Sequence, residues 1–143
     1  MKLITNPNYY IEHRPWGHFR CFGQNVQSTA KVLVVDPGQA LSTQYHDNRD
    51  QHYYVMGESV VCWSTHPVPH EMDVDEVRRW WADHYGSCVA KAGDEFWFQR
   101  RHIHGIHNAG PKPLIVFEVA YGENDEEDIV RVQDRYGRAN GLW

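Results

Sequence analysis

Two stretches of this chain concentrate side chains that bind metal ions. The first runs from Gly38 through Gln44, His46, Arg49, Asp50 and Gln51 to His52; the second runs from Gly93 through Gln99, Arg101 and His104 to Asn108. Imidazole nitrogens together with amide or carboxylate oxygens suit a divalent first-row ion. Residues two apart on a strand share a face, so Gln44 and His46 project together. His104 arrives from the second stretch. A further ligand on the strand beyond the polar turn Asp47-Asn48-Arg49 can approach the same point. On a regular strand His102 shares the parity of His104 and His107 faces the other way. His52 reads as a group that packs or hydrogen-bonds behind the ligands.

The elements that must position these residues are short and β-rich. Thr29 to Val35 alternates and stops at Asp36-Pro37-Gly38. Leu41 to His46, His52 to Met56, Ser59 to Ser64, Cys88 to Ala90, Phe96 to Gln99 and Leu114 to Tyr121 are further strands. Short strands separated by turn signals predict a barrel or sandwich rather than βαβ units. One helix interrupts them. Asp73 to Gly86 carries acids early and bases later, and Val74, Val77, Trp81 and Tyr85 recur at helical spacing. Gly86 is placed to cap its end. This insert, about residues 68–87, shields the barrel or serves as a lid.

With 143 residues, the chain is expected to form one domain spanning 1–143. A net charge of -5 gives no electrostatic footprint for nucleic acid or an anionic membrane. Cys21, Cys62 and Cys88 form no CxxC pair, which argues for a reducing compartment and against a disulfide scaffold. The opening residues contain no secretory leader, and no apolar run reaches the ~18 residues of a membrane span. The expectation is a soluble cytoplasmic protein.

The two metal-binding stretches resemble the paired motifs of the cupin superfamily. Gly93, His104 and Asn108 keep the spacing of the second motif, with Gln99 in place of its usual Pro and Arg101 in place of its Gly. The nearer likeness is to type II mannose-6-phosphate isomerases. Arg14-Pro15-Trp16-Gly17 resembles their opening motif, and Pro37-Gly38 through Leu41-Ser42, Gln44, His46, Arg49 and His52 resembles their central one. Glu127-Asp128-Ile129-Val130-Arg131 through Asp134, Tyr136-Gly137-Arg138 resembles their closing one. The likeness covers nearly the whole chain except residues 65–88 and includes no nucleotidyltransferase part, which implies a standalone domain.

The resemblance implies an all-β, cupin-type double-stranded β-helix, a jelly-roll barrel with one short inserted helix. It implies one divalent ion (Zn, Mn, Co, Ni or Fe) on Gln44, His46, His104 and the residue at the family's Glu. The ungapped Arg-x-x-His frame puts Gln51 there, and counting back from Gly57 puts Asp50 there. For the isomerase reaction, Arg138, Lys31 and Glu118 are the candidate catalytic residues, and Arg14, Ser42 and Arg138 the candidate phosphosugar contacts. Likeness to cupins also implies a homodimer. A non-catalytic sugar or sugar-nucleotide binder and a different metal-dependent enzyme, such as an Fe(II) oxygenase, are the alternatives.

Overall fold

The computed structural model describes residues 6–137. Its strands are β1 (Tyr10–Arg14), β2 (Gly17–Cys21), β3 (Ser28–Val35), β4 (Thr43–Tyr45), β5 (Arg49–Val55) and β6 (Ser59–Ser64). After the helix α1 (Val74–Ala82) come β7 (Tyr85–Ala90), β8 (Glu95–Phe98), β9 (His104–His107), β10 (Leu114–Gly122) and β11 (Val130–Gln133). A four-stranded sheet in the order β3-β10-β5-β8 faces a five-stranded sheet in the order β11-β4-β9-β6-β7, and β1-β2 stands as a separate hairpin. All pairings are antiparallel.

Strand alternation decides what enters the space between the sheets. On β5, Tyr53 and Val55 point into the shared core with Val35, Phe96, Phe98, Leu114 and Val116 of the same sheet. Val61, Ala90 and Ile106 meet them from the opposite sheet. The alternate residues, Trp97, Val119 and Tyr121, form an apolar cluster on the outer face of the four-stranded sheet, with Phe22 against them. This two-sheet packing is the jelly-roll arrangement expected.

The helix is shorter than its sequence pattern. Asp73 caps its start by accepting from the Glu76 amide, and Asp83, not Gly86, caps its end. Gly86 lies in β7 opposite Trp63, where a Cβ would come within 3.1 Å of the indole. Its lack of a side chain serves a strand–aromatic contact, which is why the helical reading ran on too far. The buried face of α1, Val77 and Trp81, packs with Tyr45, Val68, Ile103 and Val132 on the outside of the five-stranded sheet. Emptying such an indole seat costs about 3–5 kcal/mol. The helix therefore shields a sheet face and is not a lid.

Arg101 carries the irregularity that the family pattern assigns to glycine. Its φ is 61°, in the left-handed region, where a non-glycine residue costs about 1–2 kcal/mol. The side chain offsets this by fastening the segment before the helix to the barrel. Nε donates to the Val68 carbonyl at 2.9 Å and Nη2 to the Pro69 carbonyl at 3.1 Å, while Nη1 pairs with Asp47. The same turn ends the strand reading before His102, whose Nδ1 meets the Arg100 carbonyl at 3.2 Å. His102 therefore lies outside β9, and the inward parity expected of a regular strand does not reach it.

Comparison of Arg101→Gly with Arg101→Ala isolates the backbone cost, since both lose the anchoring contacts. Chemical denaturation should find the alanine variant less stable by about 1 kcal/mol. Equal stabilities would show that the left-handed turn carries no such cost.

Candidate metal centre

The antiparallel pairing of β4 with β9 sets Gln44 directly opposite His104. Because Ile106 on β9 enters the core, His104 two residues earlier faces the same interior. Gln44 joins it across the pair, its Oε1 accepting from the Ser42 hydroxyl at 2.7 Å. His46 follows on Gln44's parity, with ring centroids 5.4 Å between His46 and His104. Two imidazoles reaching one ion at about 2.1 Å each would have their ring centres about 5 Å apart, which is the spacing here.

Backbone carbonyls fix the orientation of both rings. His46 Nδ1 lies 2.7 Å from the Asp128 carbonyl, and His104 Nδ1 lies 3.0 Å from the His102 carbonyl. A carbonyl only accepts, so Nδ1 carries the proton in each ring and Nε2 presents its lone pair. Both Nε2 atoms are buried and neither has a hydrogen-bond partner. Metal-ligating histidines are oriented in this way by outer hydrogen bonds. Burial is also the main reason the rings stay neutral: it lowers the His46 pKa to about 4 and the His104 pKa to about 3, with Arg49 pushing both the same way.

The structure separates Gln51 from Asp50. Gln51 shares the inward parity of Tyr53 and Val55, is 2% exposed, and leaves a buried Oε1 without a partner. It lies beside the His46 ring. Asp50 points to the other face, where its carboxylate accepts from the Arg100 amide at 2.8 Å and pairs with the Arg100 side chain at 3.7 Å. The interior therefore offers two imidazole lone pairs and an unpaired amide oxygen, with Gln44 opposite. Among the described residues, no group of three His, Cys, Asp or Glu is placed to hold a metal ion. The donor set fits a divalent ion, but with neutral ligands only.

The remaining candidate residues divide sharply. Glu118 faces the interior of β10, aligned with Lys31 on one side and Tyr53 on the other. Its pKa is raised by burial, against the opposing pull of Lys31, Tyr53 and Arg49. Lys31 has the same inward parity, and its Nζ reaches Glu126 at 2.6 Å. Arg14 sits on the β1-β2 hairpin, half exposed, bonded to Glu12 and placed over Phe19, both within that hairpin. Arg138 lies outside the described residues. His52 occupies the outer face of β5, held by Asn6 at 3.0 Å and Glu95 at 3.1 Å, away from the ligands. His107 pairs with Val60 and Ala40.

Neither Arg49 nor residues 123–126 carried a site role in the sequence reading. Arg49 was read as part of a polar turn, yet it opens β5 with the inward parity of Gln51 and is 6% exposed. The signal was present in the two-residue spacing from Arg49 to Gln51. Beside His104, Phe98 stacks on the imidazole at 4.6 Å and Trp63 pairs with it across β6. These two aromatics, with Trp97, Gln99 and His102, line a cleft of about 330 Å³.

Replacing Gln51 with Glu adds an anionic oxygen on the inward face, and divalent-ion affinity should rise by about tenfold or more. Asp50→Asn should leave affinity within about twofold, because that side chain serves the outer face. Calorimetric titration of Mn²⁺ or Zn²⁺ ranks the two, and the reverse order would move the ligand to Asp50.

Residues 6–67, which contain Gln44, His46 and Gln51, match the family described as mannose-6-phosphate isomerase C-terminal. The alginate biosynthesis protein AlgA of Pseudomonas syringae pv. tomato is 27% identical over 136 residues, covering 94% of this chain and 24% of that protein. The mannose-1-phosphate guanylyltransferase of Escherichia coli K12 is 28% identical over 127 residues, covering 88% of this chain and 23% of that protein. The chain thus spans about a quarter of the length of these relatives. Among solved structures, ligand-free L-ribose isomerase of Cellulomonas parahominis superposes with a TM-score of 0.60 at 22% identity, over 76% of this chain and 59% of that one. The capsular polysaccharide assembling protein CapF of Staphylococcus aureus gives 0.57 at 13%, over 86% and 34%. Over residues 6–67 the chain is thus similar to the mannose-6-phosphate isomerase C-terminal family, and its jelly-roll fold is shared with the ribose isomerase.

Proposed function

We propose that this domain is a metal-dependent sugar-phosphate isomerase that interconverts mannose 6-phosphate and fructose 6-phosphate. The observation that carries this reading is the pair of buried, neutral imidazoles whose unpartnered Nε2 atoms face one interior point beside the Gln51 amide oxygen. His46, His104, Gln51 and Gln44 would hold the ion. A divalent ion so held would polarise the sugar carbonyl and stabilise negative charge developing on its oxygen.

The chain's own groups supply the proton chemistry. Aldose–ketose interconversion takes a proton from the carbon next to the carbonyl and returns it to the neighbouring carbon. Glu118 is the inward carboxyl available for this. Its burial raises its pKa toward the range in which it can both accept and return a proton. Tyr53, its neighbour on β5, has its own pKa raised by burial and then by Glu118, so the hydroxyl stays protonated and can donate to the carboxylate. The aromatic walls of the adjoining cleft, Trp63 and Phe98, accept the apolar faces of a sugar ring while Gln99 and His102 offer polar contacts. Relatives named for mannose-1-phosphate and alginate biosynthesis, and the fold shared with a sugar isomerase, support a phosphosugar substrate.

One observation favours a second reading, a sugar-binding domain without catalysis. The ligand set contains no carboxylate, and ions on neutral donors are held less tightly. Metal content separates the two. Elemental analysis of the purified protein should find close to one divalent ion per chain, lost in His104→Ala, and a coupled assay should show metal-dependent conversion of mannose 6-phosphate. A protein that stays metal-free after incubation with Mn²⁺, Zn²⁺, Co²⁺ and Fe²⁺, yet still binds the sugar, would establish the second reading instead.

A further inference from the structure

Arg49 is the unresolved charge of the interior. Its guanidinium is buried, and its hydrogen-bond acceptors are both neutral: Asn124 Oδ1 at 2.5 Å and the Asp125 carbonyl at 3.0 Å. Its Nε is buried with no partner. Among the described residues, no carboxylate comes within 4.0 Å of it. A cation taken from water and left without a counter-charge is costly, and folds retain one when a ligand or a function uses it. Two residues on, where the family pattern would supply an inward carboxylate, the chain has Gln51, so β5 itself supplies no counter-charge.

Lys31 is the second cation facing the interior. Its partner is Glu126 at 2.6 Å, a carboxylate side chain 73% exposed. The two cations act on common ground: both lower the pKa of Glu118, and both lower that of Glu126. The groups that occupy them, Asn124, Asp125 and Glu126, come from the segment 123–129 that leaves β10. That segment is anchored further along, where the Asp128 carboxylate accepts from the Asp47 and Asn48 amides at 2.8 and 2.9 Å. An exposed pair such as Lys31–Glu126 is weakly held.

We propose that Lys31 and Arg49 form an oxyanion-binding site at the mouth of the barrel, filled in this structure by the chain's own segment 123–129 and taken over by the phosphate or carboxylate of a ligand. Guanidinium and ammonium groups pair with such oxygens through charge-assisted hydrogen bonds. Glu126 shows the chemistry directly, since a carboxylate already sits on Lys31. The inference rests on the phosphosugar reading for the identity of the natural ligand, but the site itself is defined without reference to the metal.

The test is calorimetric titration of inorganic phosphate, and separately of acetate, at fixed ionic strength, into protein stripped of metal by a chelator. Wild type is compared with Glu126→Ala, Arg49→Lys and Arg49→Gln. Glu126→Ala should tighten phosphate binding by about threefold or more, because it removes a competing carboxylate from an exposed position. Arg49→Gln should weaken it by about tenfold or more, the loss of one charge-assisted pair, with Arg49→Lys between. Preference for phosphate or for acetate identifies the ligand's oxyanion. Absence of saturable binding of either anion in both wild type and Glu126→Ala overturns the site, as does unchanged affinity in folded Arg49→Gln. If Arg49→Gln fails to fold, the Glu126→Ala shift alone decides. Anion binding without metal binding would remove the isomerase reading and keep this site; the reverse would remove this site only.

Discussion

A single cross-strand pair, Gln44 against His104, brings the two stretches that carry the candidate ligands together. β4 is only three residues long, so little else aligns the stretches locally. Once the pair is set, the two-residue alternation of strands does the rest. His46 falls on Gln44's face, and Ile106 falls on His104's face, where it locks β9 into the core. A one-residue slip would turn both imidazoles outward and put Tyr45, which belongs to the helix-covered outer cluster, inside. The register is thus held by packing on both faces of the sheet, with Tyr45, Val77 and Trp81 on one side and Ile106, Val61 and Phe98 on the other.

Inside that frame the electrostatics follow from the position after Asp50. With glutamine at 51, the inward face of β5 reads Arg49, Gln51, Tyr53, and carries one positive charge and no negative one. Arg49 consequently acts on several ionisable neighbours. It holds down the imidazole pKa values of His46 and His104 and lowers the pKa values of Tyr53, Glu118 and Glu126. Burial outweighs it at Glu118 and Tyr53, whose pKa values stay raised. A divalent ion bound here would meet no carboxylate, so its charge would be answered by substrate oxygens to a greater degree than in a site with a glutamate ligand.

The residues that were legible in the sequence are those whose role depends on alternation and turn chemistry. Gln44, His46 and His104 could be placed from strand parity, and seven of the strands from apolar runs between Gly, Pro and Asp turns. The parity of Gln51 was legible too, but choosing it over Asp50 required knowing where β5 begins. That start was hidden because Arg49 is polar and follows two turn residues, while its burial depends on acceptors at positions 124 and 125, distant in sequence. The helix end was misread because a glycine can serve either a cap or a close contact, and only the position of the Trp63 ring decides between them. The hairpin β1-β2 and strand β11 carried no strong periodicity and are defined by pairing partners elsewhere in the chain.

The segment 123–129 touches both the candidate imidazole ligands and the two inward cations. Its Asp128 carbonyl holds the proton of His46 Nδ1 and so aims Nε2; its Asn124 side chain and Asp125 carbonyl hold Arg49; its Glu126 holds Lys31. Arg49 in turn lies 3.1 Å from the same His46 nitrogen. A ligand oxyanion that displaces Glu126 and draws Arg49 toward itself would loosen the middle of the segment. The Asp128 carboxylate, fixed by the Asp47 and Asn48 amides, would keep the end that orients His46 in place. The anchoring is therefore divided by position, firm where it orients a ligand-type imidazole and exchangeable where it covers the cations. That division would allow one short connection to hold the imidazole while its middle yields the cations to an oxyanion.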